Sequence, residues 1–312
     1  MNFSDRIFVA GHRGLVGSAL VRNLQSQGFN NLLLRSSAQL DLTNRNQVDA
    51  FFKQEGPECV LVAAAKVGGI LANNTYPADF IRDNLAIALN VIDAAHQHGV
   101  GKLLFLSSSC VYPKFAPQPM KEEYLLTGSL EPTNEPYAIA KLAGMKLCES
   151  YYRQYGSQFF SVLPTNLYGP HDNFDLETSH VLPALMRKFH EAKIAGENHV
   201  TLWGSGNPRR EFMHVDDLAD ACVFLMQHYH DTGPVNIGVG KDITIAELAV
   251  LIADIVRFDG EVRYDSSKPD GAPQKLLDVS RLNSLGWSAR ISLREGISET
   301  YRWFREQALV NA

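Results

Sequence analysis

The sequence predicts an α/β protein: a doubly wound parallel sheet followed by a smaller α/β C-terminal domain. Three observations carry that reading. Short apolar runs without polar alternation are separated by amphipathic stretches, the pattern of a parallel sheet covered on both faces. A glycine triplet sits between the first such run and the first helix. After about residue 164 the composition shifts toward turn residues, at Gly169-Pro170, Asn173, Gly204, Gly206 and Asn207-Pro208.

Each element has its own justification. Residues 7–10 read as a buried strand, and 15–27 as a helix stopped by Gly28. Residues 32–34 form a second strand. Thr43 is the expected N-cap of a helix carrying Val48, Phe51 and Phe52 at helical spacing. A continuous apolar strand follows at 59–64, then a long helix over 79–98 that Gly99 ends. Strand 103–106, helix 137–155 before Gly156, and strand 159–163 complete the first half. Helical patterns return at 181–192, 215–229, 244–257 and 292–306. We expect residues 1–165, with a return segment near 212–240, to form the dinucleotide-binding domain. Residues 166–211 and 241–312 are expected to form the substrate domain.

Composition narrows the function classes. With 312 residues, 45% of them hydrophobic, the chain can bury a sizeable core unaided. The net charge is -5 and no run of five like charges occurs, so neither nucleic acid nor a membrane surface is an expected partner. No apolar stretch approaches the ~18 residues of a membrane span. Residues 1–6 lack the features of a signal peptide, so a cytoplasmic setting is expected. The cysteines at 59, 110, 148 and 222 form no C-x-x-C pair and no disulfide framework. Cys59, Cys148 and Cys222 lie in apolar contexts and read as core. His96/His98 and His228/His230 lie at helix ends without a third ligand, so no metal is expected.

The glycine triplet reads Gly11-His12-Arg13-Gly14-Leu15-Val16-Gly17. Glycine lets the backbone approach a pyrophosphate, and the helix N-terminus offers that anion free N–H groups. An NAD site usually carries an acidic residue ~20 residues further on, for the ribose hydroxyl. Here the second strand ends Leu34-Arg35-Ser36-Ser37, without a carboxylate. Arg13 and Arg35 suit a 2′-phosphate instead, so NADP is the expected cofactor.

Tyr137 and Lys141 stand at i and i+4, on one helical face. An ammonium near a phenol lowers its pKa, and such a tyrosine can exchange a proton with a carbonyl oxygen during hydride transfer. About thirty residues upstream, a strand ends in Ser107-Ser108-Ser109, at the ligand-binding edge of a parallel sheet.

Together these residues resemble the extended short-chain dehydrogenase/reductase superfamily over nearly the whole chain. Four segments narrow the resemblance to its GDP-L-fucose synthase family: Ala64-Ala65-Lys66-Val67-Gly68-Gly69-Ile70, Ser108-Ser109-Cys110-Val111-Tyr112-Pro113, Glu131-Pro132-Thr133-Asn134-Glu135-Pro136-Tyr137 and Pro164-Thr165-Asn166-Leu167-Tyr168-Gly169-Pro170. The resemblance implies a Rossmann-type fold and conversion of GDP-4-keto-6-deoxy-D-mannose to GDP-L-fucose, by epimerisation at C3 and C5 and then NADPH reduction at C4. It implies Ser108, Tyr137 and Lys141 as the catalytic triad, Cys110 as base and His180 as acid for the epimerisations. It adds cofactor contacts at Ser37, Asp41, Leu42, Lys141, Pro164, Thr165, Asn166, Leu167 and His180. Substrate contacts are implied at Lys188, Trp203, Arg210 and Asp270, and a homodimer through helices 79–98 and 137–155. The chain departs from the family's usual arginine at Ser37, Lys188 and Gln274.

The chemistry agrees with those roles. Carbons beside a C4 ketone are acidic because their carbanions delocalise into an enolate. A base and an acid on opposite faces of the ring then invert them. Arginine forks suit a diphosphate and an indole suits a base. The alternative is another member of the superfamily acting on a nucleotide sugar, an epimerase or a 4,6-dehydratase; a dehydratase would place an Asp-Glu pair where Ser109-Cys110 stand, which disfavours dehydration. The intact Ser/Tyr/Lys set disfavours a non-catalytic nucleotide sensor.

Overall fold

Strand β1 (Ile7–Ala10) is buried along its whole length and runs inside a six-stranded sheet, one strand in from the edge. The strands β2 (Leu32–Leu33), β3 (Cys59–Val62), β4 (Lys102–Leu106), β5 (Phe159–Pro164) and β9 (Val235–Ile237) complete it in the order β2-β1-β3-β4-β5-β9. Every pair is parallel. Apolar runs buried on both faces cannot alternate, which is why these strands read as continuous hydrophobic segments. The computed structural model describes residues 1–176, 178–268 and 270–310, with the backbone alone at 70, 71 and 308–310.

Helices cover both faces of this Rossmann-type sheet. On one side, α1 (Leu15–Ser26) packs beside α7 (Val215–His228) over Val9, Leu61, Leu104 and Val162. On the other side lie α2 (Arg45–Glu55), α4 (Pro77–Gln97) and α5 (Glu135–Tyr155), over Phe8, Val60, Leu103 and Phe105. Helix α5 approaches β4 so closely that a Cβ on Gly144 would come within 2.4 Å of the Phe105 ring. That close approach sets the height of Tyr137 and Lys141 above the strand end.

Several boundaries differ from expectation for local reasons. The N-cap of α2 is Asn44, whose side chain accepts from Asn46 N and Gln47 N at 3.1 and 3.2 Å. Thr43 instead donates its hydroxyl to Asp41 at 2.7 Å. Strand β3 stops at Val62, and Ala64 turns beneath Gly11. A short helix, α3 (Ile70–Thr75), precedes α4.

The second lobe is built around β8 (Arg209–His214), which pairs with β6 (Asn166–Tyr168), β10 (Asp242–Thr244) and β12 (Gln274–Lys275). A separate pair joins β7 (His199–Trp203) to β11 (Glu261–Asp265). Helices α6 (Val181–Ala195), α8 (Ile245–Val256) and α10 (Leu293–Val310) enclose its core of Met186, Phe189, Phe212, Leu248 and Ile297. The short helix α9 (Ser280–Ser284) lies against β9. Phe212–His214 still belong to the second lobe's sheet, and the chain crosses back through α7 and β9. Among the described residues no helix is long and apolar enough to cross a membrane.

Candidate active site

The turn after β1 lies where the sheet order reverses, between β1 and β3. Gly11 has φ +84°, and a Cβ there would come within 2.7 Å of Ala64 N. A Cβ on Gly17 would come within 2.1 Å of Gly11 O. Close packing of α1 against the sheet therefore demands both glycines. Gly14 is different: its Cβ would meet only Gly11 O, at 3.7 Å, so the protein's own packing does not require glycine there. Gly14 caps α1 without a side-chain bond, leaving the first-turn N–H groups open to an anion. Leu15 and Val16 begin that helix.

Around this turn the polar groups are unevenly engaged. Arg13 is exposed and forms no ion pair among the described residues. Arg35 pairs with Glu55 at 2.7 Å, donates to Leu34 O at 3.0 Å and lies over Phe51. Glu55 thus brings from α2 the carboxylate that the strand end lacks, at a distance in sequence no local motif reveals. His12 keeps a buried, unpartnered Nδ1, and burial lowers its pKa. Ser37 is exposed, Asp41 accepts from Thr43, and Leu42 O accepts from Asn90 at 3.0 Å.

Strand β4 ends at the three serines, and the structure separates them. Ser107 and Ser109 are buried, whereas Ser108 is half-exposed. Ser108 Oγ accepts from Cys110 N at 3.2 Å and hydrogen-bonds the Tyr137 phenol. Burial pushes the phenol pKa well up, neighbouring Cys110 adds to the rise, and the Ser108 bond opposes it. This reverses the expectation of a lowered phenol pKa. Lys141 does not rescue the phenolate. It is buried, its ammonium donates to Leu106 O at 2.8 Å, and burial pulls its own pKa down to about 7. Tyr137 therefore holds its proton, the state needed to donate one.

Cys110 lies half-buried in a 3-10 turn (Ser109–Val111) beside Tyr137. Cys59, Cys148 and Cys222 are buried free thiols in the apolar core. His180 is the N-cap of α6 and makes no capping bond. Its ring is accessible, yet surrounding protein lowers its pKa, as on the wall of a cleft. The preceding loop also carries Asp172, whose Oδ2 is buried and unpartnered and whose pKa burial raises to about 7.

Beyond β5, Thr165 and Asn166 turn their side chains inward and donate to Glu211 O at 3.2 and 2.8 Å. Pro164 and Leu167 bracket them at the ends of β5 and in β6. Glu211 is 0% exposed. Its carboxylate accepts from Val239 N and Gly240 N at 2.7 Å each and from Leu277 N at 3.0 Å.

At the far end, Trp203 is 72% exposed, with the ammonium groups of Lys188 and Lys268 at 5.7 and 5.6 Å from its ring centre. Lys268 went unnoticed in the sequence. Asp270 accepts from Ser205 N and Oγ at 2.9 and 2.6 Å. Arg210 is half-buried next to Asp270, and burial lowers its pKa. Adjacent residues on β8 face opposite ways: Arg209 is consumed by Asp242, while Arg210 forms no ion pair among the described residues. Arg187 is likewise engaged, with Glu191 and Phe174 O. Gln274 joins Asp242.

A model of the NAD dependent epimerase/dehydratase family matches residues 7–238. The chain is 62% identical over 301 residues to GDP-L-fucose synthase 1 of Arabidopsis thaliana, covering 96% of this chain and 93% of that one. It is 57% identical over 311 residues to the GDP-L-fucose synthase of Escherichia coli strain K12, covering 97% of each. A solved structure of a GDP-L-fucose synthetase from Naegleria fowleri bound to NADP superposes with a TM-score of 0.91 at 29% identity, over 99% of this chain and 96% of that one.

Proposed function

The chain belongs to the NAD dependent epimerase/dehydratase family, and we propose that it converts GDP-4-keto-6-deoxy-D-mannose to GDP-L-fucose with NADPH. The observation that carries this reading is the juxtaposition of a thiol, Cys110, with the Ser108–Tyr137 pair. Reduction alone needs no group beside the ketone that can take a proton from carbon.

The residues present fit NADPH. Gly14 leaves its turn open, the α1 N-terminus faces that opening, and Arg13 beside it forms no ion pair among the described residues. When bound, NADPH supplies the hydride that reduces C4. The chain's own residues do the rest. Ser108 and the protonated Tyr137 hold the C4 oxygen and stabilise the charge it gains when a neighbouring carbon loses its proton. Cys110 takes that proton, and His180 returns one from the opposite face. Repetition at the second carbon completes the inversions. Tyr137 then delivers its proton to O4 during reduction. Lys188, Trp203, Arg210 and Asp270 bind the nucleotide end: Trp203 offers an exposed ring face, and Arg210, which donates to Arg209 O and forms no ion pair among the described residues, offers its remaining N–H groups to diphosphate oxygens.

Incubation with GDP-4-keto-6-deoxy-D-mannose and NADPH, followed by product identification, tests this reading. GDP-L-fucose is the expected product, and an unepimerised 6-deoxyhexose would overturn it. We propose further a homodimer through α4 and α5, supported by the exposed Leu89, Ile139 and Tyr155 on those helices. Light scattering tests it. Four free cysteines fit a reducing compartment, and the cytoplasm is the proposed location.

A further inference from the structure

His180 leaves the loop between β6 and α6, and that loop is held from two sides. On the far side, His171 and Phe174 pack on Trp303 at ring distances of 5.1 and 6.2 Å, and Phe174 on Phe304 at 4.6 Å. Arg187 of α6 also donates to Phe174 O at 3.2 Å. On the near side stands a backbone hydrogen bond with the nucleotide-binding domain. Gly69 N donates to Thr178 O at 3.0 Å. Thr178 is two residues before His180.

The Gly69 turn is itself shaped by Asn73, which is buried on α3. Its amide donates to Gly68 O and Gly69 O at 2.8 and 3.0 Å, so both carbonyls turn toward α3. Asn73 N also donates to Gly69 O, at 3.1 Å. With its carbonyl committed to α3, Gly69 is left with its N–H toward Thr178. The approach is close: a Cβ on Gly69 would lie 3.1 Å from Thr178 O and 3.2 Å from Ser179 O. The backbone of Gly69 is extended, with φ -64° and ψ -179°, so any residue could adopt it. A larger residue there would press on the loop opposite, which would have to give by a few tenths of an ångström.

We infer that Gly69, presented by Asn73, is a positioning residue for His180: it fixes the Thr178–Ser179 backbone from which the imidazole enters the cleft. The inference rests on the reading of His180 as the acid of epimerisation. It adds that the acid's place is set by the loop after β3, on the other domain. The imidazole carries no capping bond of its own, so the backbone before it must hold it. A displacement of ~1 Å at a reacting group can cost ~10²-fold in rate.

The test uses Gly69→Ala and Asn73→Ala in the full chain, with His180→Asn as reference. Three quantities are read: the His180 ring resonance in the free protein, assigned by its loss in His180→Asn; deuterium wash-in at C3 and C5 from heavy water; and NADPH affinity. Gly69→Ala should shift the resonance and lower wash-in at least ~10-fold at the carbon that His180→Asn affects, while NADPH affinity stays within ~2-fold. Asn73→Ala introduces no clash and should act in the same direction more weakly. Both variants keeping the wild-type resonance and exchange would overturn the inference. So would a loss of NADPH affinity as large as the loss of exchange, which marks general damage to the loop. If His180→Asn itself keeps full exchange, the acid assignment fails, while the resonance still reports whether Gly69 holds the ring.

Discussion

Lys141 donates its ammonium to the carbonyl of Leu106 at 2.8 Å, and its nitrogen stands 5.9 Å from the ring centre of Tyr137, one helical turn earlier. The lysine therefore braces the end of β4 rather than the phenol. It is 4% exposed and forms no ion pair among the described residues, so burial lowers its pKa to about 7.

That shift has a definite sign. The unfolded lysine titrates near 10.5, so between about pH 7 and 10.5 the unfolded chain binds a proton the folded chain lacks. Stability from this group thus rises with pH across that window. Lys141→Met should lose the rise: its melting temperature should change less than wild type's between about pH 7.5 and 9.5. Parallel curves for the two proteins would show that the buried amine keeps an ordinary pKa.

Tyr137→Phe should abolish reduction and leave NADPH binding nearly unchanged. Only the hydroxyl is removed, and the ring keeps its edge contact with Phe80. A loss of ~10²–10⁴-fold in hydride transfer is the usual scale for a general acid. Stopped-flow loss of NADPH absorbance, read beside a binding titration, separates the two. Reduction at wild-type rate would place the proton donor elsewhere.

The cofactor site predicts unequal arginines. Arg13 forms no ion pair among the described residues, while Arg35 shares its charge with Glu55. Removing a charged contact costs ~1.5–3 kcal/mol, roughly 10- to 150-fold. Arg13→Ala should therefore erode the preference for NADPH over NADH more than Arg35→Ala does, and neither should much change the maximal rate. Glu55→Gln should sharpen the preference. Steady-state efficiencies with both cofactors decide, and an unchanged ratio in Arg13→Ala would exclude it from the 2′-phosphate.

The two chemistries should separate at Cys110. Serine keeps the side chain's shape but is a far weaker base, so Cys110→Ser should lose epimerisation by ~10²–10⁴-fold and still reduce the ketone. The main product should then be an unepimerised 6-deoxyhexose. His180→Asn should retain reduction in part and leave inversion incomplete. Mass and NMR analysis after turnover in heavy water reads each carbon. Full exchange at both C3 and C5 in Cys110→Ser would leave that thiol as packing.

The residues that could be read from the sequence were those whose chemistry is local. Gly11, Gly14 and Gly17 lie within one turn, Tyr137 and Lys141 within one helical turn, and the sheet announced itself through runs such as residues 59–62. What escaped depends on partners distant in the chain. Glu55 meets Arg35 across 20 residues, Gly69 meets Thr178 across more than 100, and Lys268 meets Trp203 from another strand's loop. The phenol's raised pKa also escaped, because burial is its first cause and the Tyr137–Lys141 spacing does not report burial. Arg209 and Arg210 could have been told apart, since neighbours on a strand point to opposite faces.

Glu211 gathers Val239, Gly240 and Leu277 on one carboxylate, and Thr165 and Asn166 on its own carbonyl. Those five residues lie at three of the places where the chain passes between the six-stranded sheet and the second lobe; the step from β8 into α7 is a fourth. A hinge needs backbone torsions free to turn at its crossing points, and here three crossings are tied to one buried residue, by its carboxylate and its own carbonyl. Turning about any of the three would cost hydrogen bonds to a residue that no water reaches.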